Sequence, residues 1–588
     1  MKNLTHNSTF TYNDHLIQHS LRSMIMVAIA SGLSAMIGPF VDGIITGSIL
    51  GSDAMAAFGY ASPVMMFQAA IAGIFANGGT ILSSMYLGKG EFKRIRENFT
   101  VTIISMVVIG AIFTLCCCCF SEQLAHFLGA NGELLPQTQE YIVGLGLGTI
   151  PIMAMQVLLI YLRLDNGEML CFAGVIAMTV VNIILDLLVA LVWDMGLFGM
   201  GLATSISYAV ATVIALVYFK RSNRILGFCK VTAFKSELLA VFAAGTPNAI
   251  GRICSSVSGV CMNRLLFVCA GTAAVTAYST QATIGAFSNA IIMGVCSSAS
   301  IFSGLYYGER NKSALKAAFR VSCKYGLLLS VVLTALFFGF SSSLAHLMLD
   351  DNAEALRLTT QAVRLLSISF PVEMLSLILI YHYLFTKKYM LTYVSYLLHN
   401  LGLLVGSAFV ASRFIGVKGI FLAPLFTGIL LFPALLPFLR KYHGKGIEKW
   451  LALEDDFIPD NCTILEASIT GNSDEITALC DQLCLFCKEK SIDGKKADSL
   501  ILCVRELATN VMLYGAGHSK KDSILNMDIR VVYSKDSLIL TLMDNGQKFD
   551  PTEHKSTSTQ QGIQKVKDIA KGMEYRYISK ANRVQVDL

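Results

Sequence analysis

Long apolar runs broken by short polar stretches fill the first three quarters of the chain. The runs centre on residues 22–49, 54–82, 98–120, 141–162, 170–193, 197–219, 236–268, 274–303, 321–343, 363–386, 391–412 and 419–439. Each is about long enough to cross a hydrocarbon core of roughly 30 Å as a helix. From about Trp450 onward the pattern changes. Charge returns at globular density, "SDEITALCDQLCLFCKEK" and "ADSLILCVRELATNVMLYG" show helical spacing, and "SILNMDIRVVYS" and "SLILTLMDNG" alternate as strands do. "TQQGIQKVKDIAKGMEYRYI" reads as helix then strand, and "NRVQVDL" as a closing strand. The pattern predicts an all-α polytopic membrane protein of twelve transmembrane helices, followed by a C-terminal α/β sandwich.

The run pattern also repeats. Gly51 pairs with Gly271, Gly88 with Gly308, Pro151 with Pro371 and Gly196 with Gly416, always 220 residues apart. One offset across four separated anchors marks two six-helix halves in tandem. An even number of spans makes the repeats parallel, related by an axis along the membrane normal, which suits alternating access. The expected organisation is a cytoplasmic segment over 1–20, an N-lobe over 21–220, a C-lobe over 221–442, a linker over 443–460 and a separate domain over 461–588.

Composition agrees. Hydrophobic residues are 54% of the 588, charged residues 15%, and mean hydropathy is +0.59, against a usual charged share of roughly 25%. The net charge of +6 is too small to signal a nucleic-acid partner. It sits in particular loops: Lys89, Lys93, Arg94 and Arg96; Lys220, Arg221 and Arg224; Arg310, Lys312, Lys316 and Arg320; Lys387 and Lys388; and Arg440, Lys441 and Lys445. The loop from Ser121 to Glu140 has no Lys or Arg. Basic even-numbered loops place both termini in the cytoplasm by the positive-inside rule; Arg413 and Lys418 in the eleventh loop run against it. The polar start lacks a cleavage pattern, so the first span reads as a retained signal anchor. Sixteen cysteines lie mostly within apolar runs and act as small hydrophobes. The isolated Cys484-Leu-Phe-Cys487 reads as a buried helix face rather than a zinc site.

Candidate chemistry enters where ionisable residues interrupt the apolar runs. Asp42 lies in the first run, and Asn182 and Asp186, one turn apart and so on one helix face, lie in the fifth. Such groups at membrane depth are costly and mark cavities or ion paths. A carboxylate withdrawn from water takes up a proton more readily, which proton coupling requires. Thr204 in the sixth run adds a hydroxyl. In the second half, Arg252, Arg264, Glu373, His382 and His399 fall in or near apolar runs, and Asn263 lies near the repeat mate of Asp42.

The runs "GPFVDGIITGSILGSDAMAAFGYASP", "LGKGEFKR" and "VVNIILDLLVALVWDMGLFGMGLATSIS" resemble the multidrug and toxic compound extrusion (MATE) family over about residues 15–440. The resemblance implies two six-helix bundles around a cleft. It also implies export of organic cations or amphipathic compounds against protons or sodium, with Asp42, Asn182, Asp186 and Thr204 as the cation-coupling cluster. "RELATNVMLYG", "MDNGQKFDP" and "QGIQKVKDIAKGMEYRY" resemble the ATPase domain of histidine kinases and, more closely, anti-sigma-factor serine kinases. That resemblance implies ATP and Mg2+ as cofactors, Glu506 as a catalytic base, Asn510 as the metal ligand, Asp544 on the adenine amino group, and Gly546 for close backbone approach. Of the glycine-rich phosphate lid only Gly562 remains, with Gln560 at the earlier glycine's place, which leaves enzymatic turnover open. No Walker P-loop occurs.

The expected function is a secondary-active antiporter with a cytosolic nucleotide-binding regulatory domain in a prokaryotic plasma membrane. The alternative is a membrane sensor whose C-terminal domain phosphorylates a serine of, or sequesters, an anti-sigma-antagonist-like partner. A lipid or polysaccharide-precursor flippase is a third reading, disfavoured by the acidic cluster.

Overall fold

The computed structural model describes residues 13–128, 130, 132, 134–220, 224–348, 353–442, 444, 446–458, 462–515, 525–534, 537–553, 561–578 and 581–588. The chain separates into two compact units: residues 24–311 with 322–453, and residues 1–23 and 312–321 with 454–588. Residues 1–12 of the expected cytoplasmic segment, and Gln560 of the expected phosphate lid, lie outside the described residues.

Among the described residues, eleven helices are long and apolar enough to cross a membrane, and one bent pair makes a twelfth span. In chain order they are α1 (His15–Ile45), α2 (Ala57–Lys89), α3 (Phe92–Cys119), the bent α4 (Leu134–Leu147 with Thr149–Asp165), α5 (Glu168–Trp193), α6 (Gly196–Lys220), α7 (Phe234–Gly271), α8 (Ala274–Gly308), α9 (Lys312–Gly339), α10 (Glu354–Phe385), α11 (Tyr389–Ile415) and α12 (Ala423–Lys441). Helices satisfy their own backbone groups, which a hydrocarbon solvent demands.

The repeat is visible in the backbone. α3 and α9 have 28 residues each, and every bound is displaced by 220. The outer stretches after them each carry a short helix, Ser121–Phe127 and Ser341–Met348. Gly51 and Gly271, at φ 97° and 66°, and Gly196 and Gly416, at φ 54° and 61°, turn the chain at matching places in the left-handed region, which glycine enters without a Cβ penalty.

Several expectations are corrected. The fourth span was expected as one run; it starts earlier and bends by 52° at Gly148. A Cβ there would lie 2.2 Å from the Ser205 hydroxyl, so the glycine admits α6 at the bend. Its repeat mate, Ile368, sits inside the continuous α10. The second loop shrinks to Gly90 and Glu91, with Lys93, Arg94 and Arg96 already in α3. No loop separates α7 from α8; Ala270 and Gly271 alone break the helix. Helix begins at His15, within the segment expected to be a polar N-terminal tail. The expected linker holds a helical turn, Ile447–Trp450, with Leu451 and Ala452 fully buried.

The two halves meet backbone to backbone. A Cβ on Gly88 would lie 2.0 Å from the Leu305 carbonyl oxygen, and one on Gly308 2.2 Å from that of Met85. Gly78 and Gly245 make a second close approach, each Cβ position 2.1 Å from the opposing carbonyl, of Val241 and Ile74. Such contacts replace the hydrophobic effect as the packing force in lipid. A buried network links α2, α3, α4 and α7: Tyr161 and Ser83 donate to Asn98 Oδ1 at 2.6 and 2.9 Å, and Asn98 Nδ2 donates to Glu237 at 2.7 Å.

Residues 462–588 form an antiparallel sheet of five strands: β1 (Thr463–Thr470), β2 (Asn526–Tyr533), β3 (Leu538–Asp544), β4 (Gly572–Ile578) and β5 (Ala581–Asp587), in the order β1-β2-β3-β5-β4. Helices α13 (Ser473–Glu489), α14 (Gly494–Tyr514) and α15 (Gln561–Ile569) accompany it. Alternate residues such as Ala467, Ile529, Leu540 and Val586 share a buried core with Leu479, Leu483, Val504 and Leu507 of the helices. Sequence pattern alone did not single out β1, whose "TILEASIT" mixes charged and apolar positions. Cys487 is buried, Cys484 is half-buried and both are free thiols, in keeping with a helix face.

Gly88→Ala should lower the midpoint of thermal unfolding of the detergent-solubilised protein by the equivalent of at least ~1 kcal/mol. Gly339→Ala, where nothing lies within 4 Å of the new methyl, should leave it unchanged.

Candidate functional site

α1 and α5 are held close. The Thr179 hydroxyl donates to the Ser34 carbonyl across the pair at 3.1 Å, and a Cβ on Gly38 would lie 3.1 Å from Asn182 Oδ1. This approach sets Asp42 close to Asp186 and Asn182. Asp186 is 0% exposed, and Asp42 and Asn182 are 4% exposed. No N–H or O–H among the described residues satisfies Asp42 Oδ1, either oxygen of Asp186, or the Thr46 hydroxyl beside them in sequence. Two carboxylates offer only acceptors. Ionised, they repel; a proton or a cation between them turns the contact favourable.

Thr204 is buried on α6, but its hydroxyl donates to the Met200 carbonyl of its own helix at 3.2 Å. It is not hydrogen-bonded to the carboxylates. Two residues not foreseen from sequence do face the pair. Tyr141 on α4 lies within electrostatic reach of both Asp42 and Asp186, and Tyr208 on α6 of Asp42. Turns of π-helix come after each acidic position, at Thr46–Leu50 and Val189–Trp193. Such turns are frequent at functional sites. The repeat mates of Asp42, Asn182, Asp186 and Thr204 are Met262, Gly402, Gly406 and Pro424. The cluster therefore belongs to one half only.

Of the second-half candidates, Arg264 and Asn263 are exposed. Arg252 donates to Asn248 Oδ1 at 3.4 Å. His382 contacts Ser303 Oγ and the Leu451 carbonyl. Glu373 and His399 form an ion pair.

The C-terminal domain has its own cavity of about 270 Å3, lined by Asn510, Tyr514, Asp544, Gln547, Phe549 and Asn582 among others. Asp544, at the end of β3, accepts from the Gly546 amide and from Asn582 Nδ2, both 2.8 Å from its Oδ1. A Cβ on Gly546 would lie 2.8 Å from that same oxygen, so the turn closes only with glycine. Asn582 Oδ1 accepts from the Tyr575 hydroxyl at 2.8 Å and the Phe549 amide at 3.2 Å. Sequence reasoning missed Asn582, which lies in an otherwise ordinary closing strand. Burial pushes the Asp544 carboxyl up to about 6 against these two bonds. Glu506 does not line the cavity. It pairs with Lys565 at 3.7 Å and packs against Gly562, where a Cβ would lie 2.1 Å from Glu506 Oε2. Asn510 and Asp544 thus share one cavity, and Glu506 faces α15 instead. Among the described residues no cluster of His, Cys, Asp and Glu could hold a metal ion.

Twelve spans in two repeats, with a carboxylate pair buried in one of them, define a polytopic membrane-transporter class. The MatE family model matches residues 19–188 and 247–418, more than half of the chain, and the chain belongs to that family. It is 28% identical over 247 residues to the multidrug export protein MepA of Staphylococcus saprophyticus, and 26% identical over 247 residues to MepA of Staphylococcus aureus. Each match covers 42% of this chain and 54% of the relative, so the chain spans about half the length of the curated relatives it matches. In fold it is similar to an outward-facing multidrug resistance MATE family transporter of the MOP superfamily, at TM-score 0.67 and 18% identity over 73% of this chain and 97% of that one. It is equally similar to a variant of the Vibrio cholerae MATE transporter VcmN, at TM-score 0.67 and 18% identity over 74% and 99%.

Asp544 is protonated more readily in the folded domain than in the unfolded chain, whose carboxyl titrates near 3.8. Its contribution to stability is therefore complete below about pH 4 and lost as pH rises through about 6. Asp544→Asn should slow hydrogen exchange of the β2 and β3 amides relative to wild type at pH 8, by the equivalent of about 1–3 kcal/mol. The difference should vanish at pH 4.

Proposed function

We propose that this chain is a secondary-active antiporter of a prokaryotic plasma membrane that exports organic cations or amphipathic compounds in exchange for protons or sodium. The observation that carries the reading is the Asp42–Asp186 pair: two buried carboxylates from different spans, with Asn182 beside them and no hydrogen bond from the described residues to Asp42 Oδ1 or to either oxygen of Asp186. Taking up and releasing one cation there changes the energy of the α1–α5 contact by a full electrostatic interaction in a site shielded from water. A contact so biased favours one of two lobe arrangements, which is what alternating access needs. The multidrug export named for the MepA relatives supports the substrate class.

The C-terminal domain fits a nucleotide-binding regulatory role of the histidine-kinase-like class. Asn510 and Asp544 line one cavity, Asp544 Oδ1 is held by Gly546 and Asn582, and Oδ2 remains available for an exocyclic amino group. ATP would lie there with its base against Asp544; Asn510 would hold the Mg2+. The second reading, a sensor whose domain acts as a serine kinase or sequesters a partner, draws on Glu506 and Asn510, one turn apart on α14. Glu506 spent on Lys565 and α15 favours binding over turnover.

In reconstituted vesicles, wild type should move a cationic dye under an imposed proton or sodium gradient. Asp186→Asn should lose at least tenfold of that flux, while Thr204→Ala should lose far less. Flux that survives in Asp186→Asn, from protein shown to be inserted, would overturn the reading. A fluorescent ATP analogue should bind the full-length protein, and Asp544→Ala should abolish that binding.

A further inference from the structure

The sheet of the C-terminal domain has two unlike faces. Leu465, Ala467 and Ile469 of β1 and Met527, Ile529 and Val531 of β2 belong to the core that α13, α14 and α15 share, through Leu479, Val504 and Val566. By alternation Glu466 and Ser468, with Asp528 and Arg530, belong to the opposite face. Ser468 pairs with Asp528 in register and Glu466 with Arg530, the latter as an ion pair at 3.1 Å. Met543 and Arg583 continue the Ser468–Asp528 row across β3 and β5. A polar sheet face left to water is exposed, yet Ser468, Asp528 and Arg583 are only 7%, 8% and 9% exposed.

The start of α1, as far as Ser23, and residues 312–321 of α9 lie in the same compact unit as this domain, and hydrogen bonds join them. The Ser468 hydroxyl gives its one hydrogen to Asp528 Oδ1 at 2.6 Å, which leaves its lone pairs for the Asn13 amide at 3.0 Å. Asn13 Oδ1 in turn accepts from the His15 amide at 3.1 Å, at the entry to α1. The next residue, Asp14, meets Arg320 of α9, Oδ2 to Nη1 at 3.3 Å. Leu16, Ile17, Ser20 and Leu21 of α1 are buried, and so are Ala314, Leu315 and Ala318 of α9. An exposed ion pair alone holds little; here it joins helix starts that are already enclosed. α1 opens the first half and α9 belongs to the second, so one unit holds the start of a span from each.

This junction lies one register step from the Asp544 cavity. Asp544, which lines the cavity, pairs with Met527, and Met543 pairs with Asp528. Successive residues of a strand point to opposite faces, so the cavity and the junction lie on opposite sides of the same two strands. The turn after Asp544 is fastened to the start of β2, where the Asn526 amide donates to Asn545 Oδ1 at 2.8 Å. The Gln547 amide donates to the Gly515 carbonyl at 2.9 Å, and both residues line the cavity. A base bound against Asp544 adds contacts to a turn that sets the position of β2, and with it Asp528 and Ser468.

We propose that the polar face of the sheet is a docking surface for the starts of α1 and α9, and that nucleotide in the Asp544 cavity tightens this docking and slows transport. Alternating access moves one half against the other. A sheet that holds α1 and α9 together opposes that motion, and a turn braced by ligand holds them more firmly. By reciprocity, the arrangement of the halves that docks best also binds nucleotide best. The inference deepens the regulatory role proposed for the domain, on which it rests together with the exporter reading: it names what the domain regulates and through which surface.

The test is hydrogen–deuterium exchange of the full-length protein in nanodiscs, with and without Mg2+ and adenylyl imidodiphosphate. Dye efflux from vesicles with the analogue on both sides of the membrane runs alongside it. In wild type the analogue should slow exchange over residues 13–23 and 312–321 by about threefold or more and lower efflux by about twofold or more. Ser468→Ala should speed exchange of both segments without nucleotide, keep the protection of β3 and β5, still bind the analogue, and export at a rate that the analogue no longer changes. If β3 and β5 lose protection in Ser468→Ala, the domain has unfolded, and Arg320→Glu, which lies outside the sheet and repels Asp14, decides by the same readouts. Bound analogue that leaves the exchange of the two segments unchanged overturns the inference, as does efflux that stays sensitive to the analogue in the deciding variant. Exchange that responds to the analogue without any gradient-driven efflux removes the exporter and keeps the docking surface. Efflux indifferent to bound analogue removes the inference and keeps the exporter. Protein that binds no analogue removes the nucleotide site, and the inference with it.

Discussion

The close backbone approach of α2 to α7 and α8 is the contact on which the rest of the membrane unit depends. In lipid no hydrophobic force draws one apolar helix to another, so cohesion comes from contact distance. Gly88 and Gly308 meet the opposing carbonyls of Leu305 and Met85, and Gly78 and Gly245 those of Val241 and Ile74. Any side chain at these four positions would hold the halves apart. The Asn98 network, which spans four helices including α7, needs the same spacing, because Asn98 reaches Glu237 only across it.

Within that frame, duplication supplied a scaffold and the two halves diverged in chemistry. The first half carries a carboxylate pair where the second has Met262 and Gly406, and it breaks α4 at a glycine where the second keeps a continuous α10. The second half places its ionisable residues elsewhere, on the π-helical turn of α11 and the middle of α10. A π-turn adds one residue and rotates the remainder of its helix by about 100°. In α5 that turn comes after the acidic residues, and in α11 it precedes the second of the corresponding glycines, Gly406, so equal sequence positions do not present equal faces.

The C-terminal domain obeys water-soluble rules. Its sheet alternates because one face has helices to bury against, and its cavity sits where β3 ends and α14 passes. Asn582 shows how such a pocket is prepared. One side chain holds Asp544, accepts from Tyr575 and Phe549, and donates to the Gln547 carbonyl at 2.8 Å. The carboxylate is thereby oriented before any ligand arrives.

Local pattern alone determined a good deal. Apolar runs of spanning length, the 220-residue offset, Asp42 with Asn182 and Asp186 at membrane depth, and the helix–strand rhythm after Trp450 all come from composition and spacing, because lipid and water each impose a period on the chain. Other features needed the tertiary structure. The bend of α4 depends on Ser205 from another helix, and the place of Tyr141 and Tyr208 depends on how α4 and α6 cross α1. The setting of His399 depends on Asn400, which reaches the Gly251 carbonyl 149 residues away in sequence. The role of Asn582 depends on the neighbouring strand β3. Each is a contact between segments distant along the chain, and periodicity, which reports only a residue's own environment, carries no record of its partner.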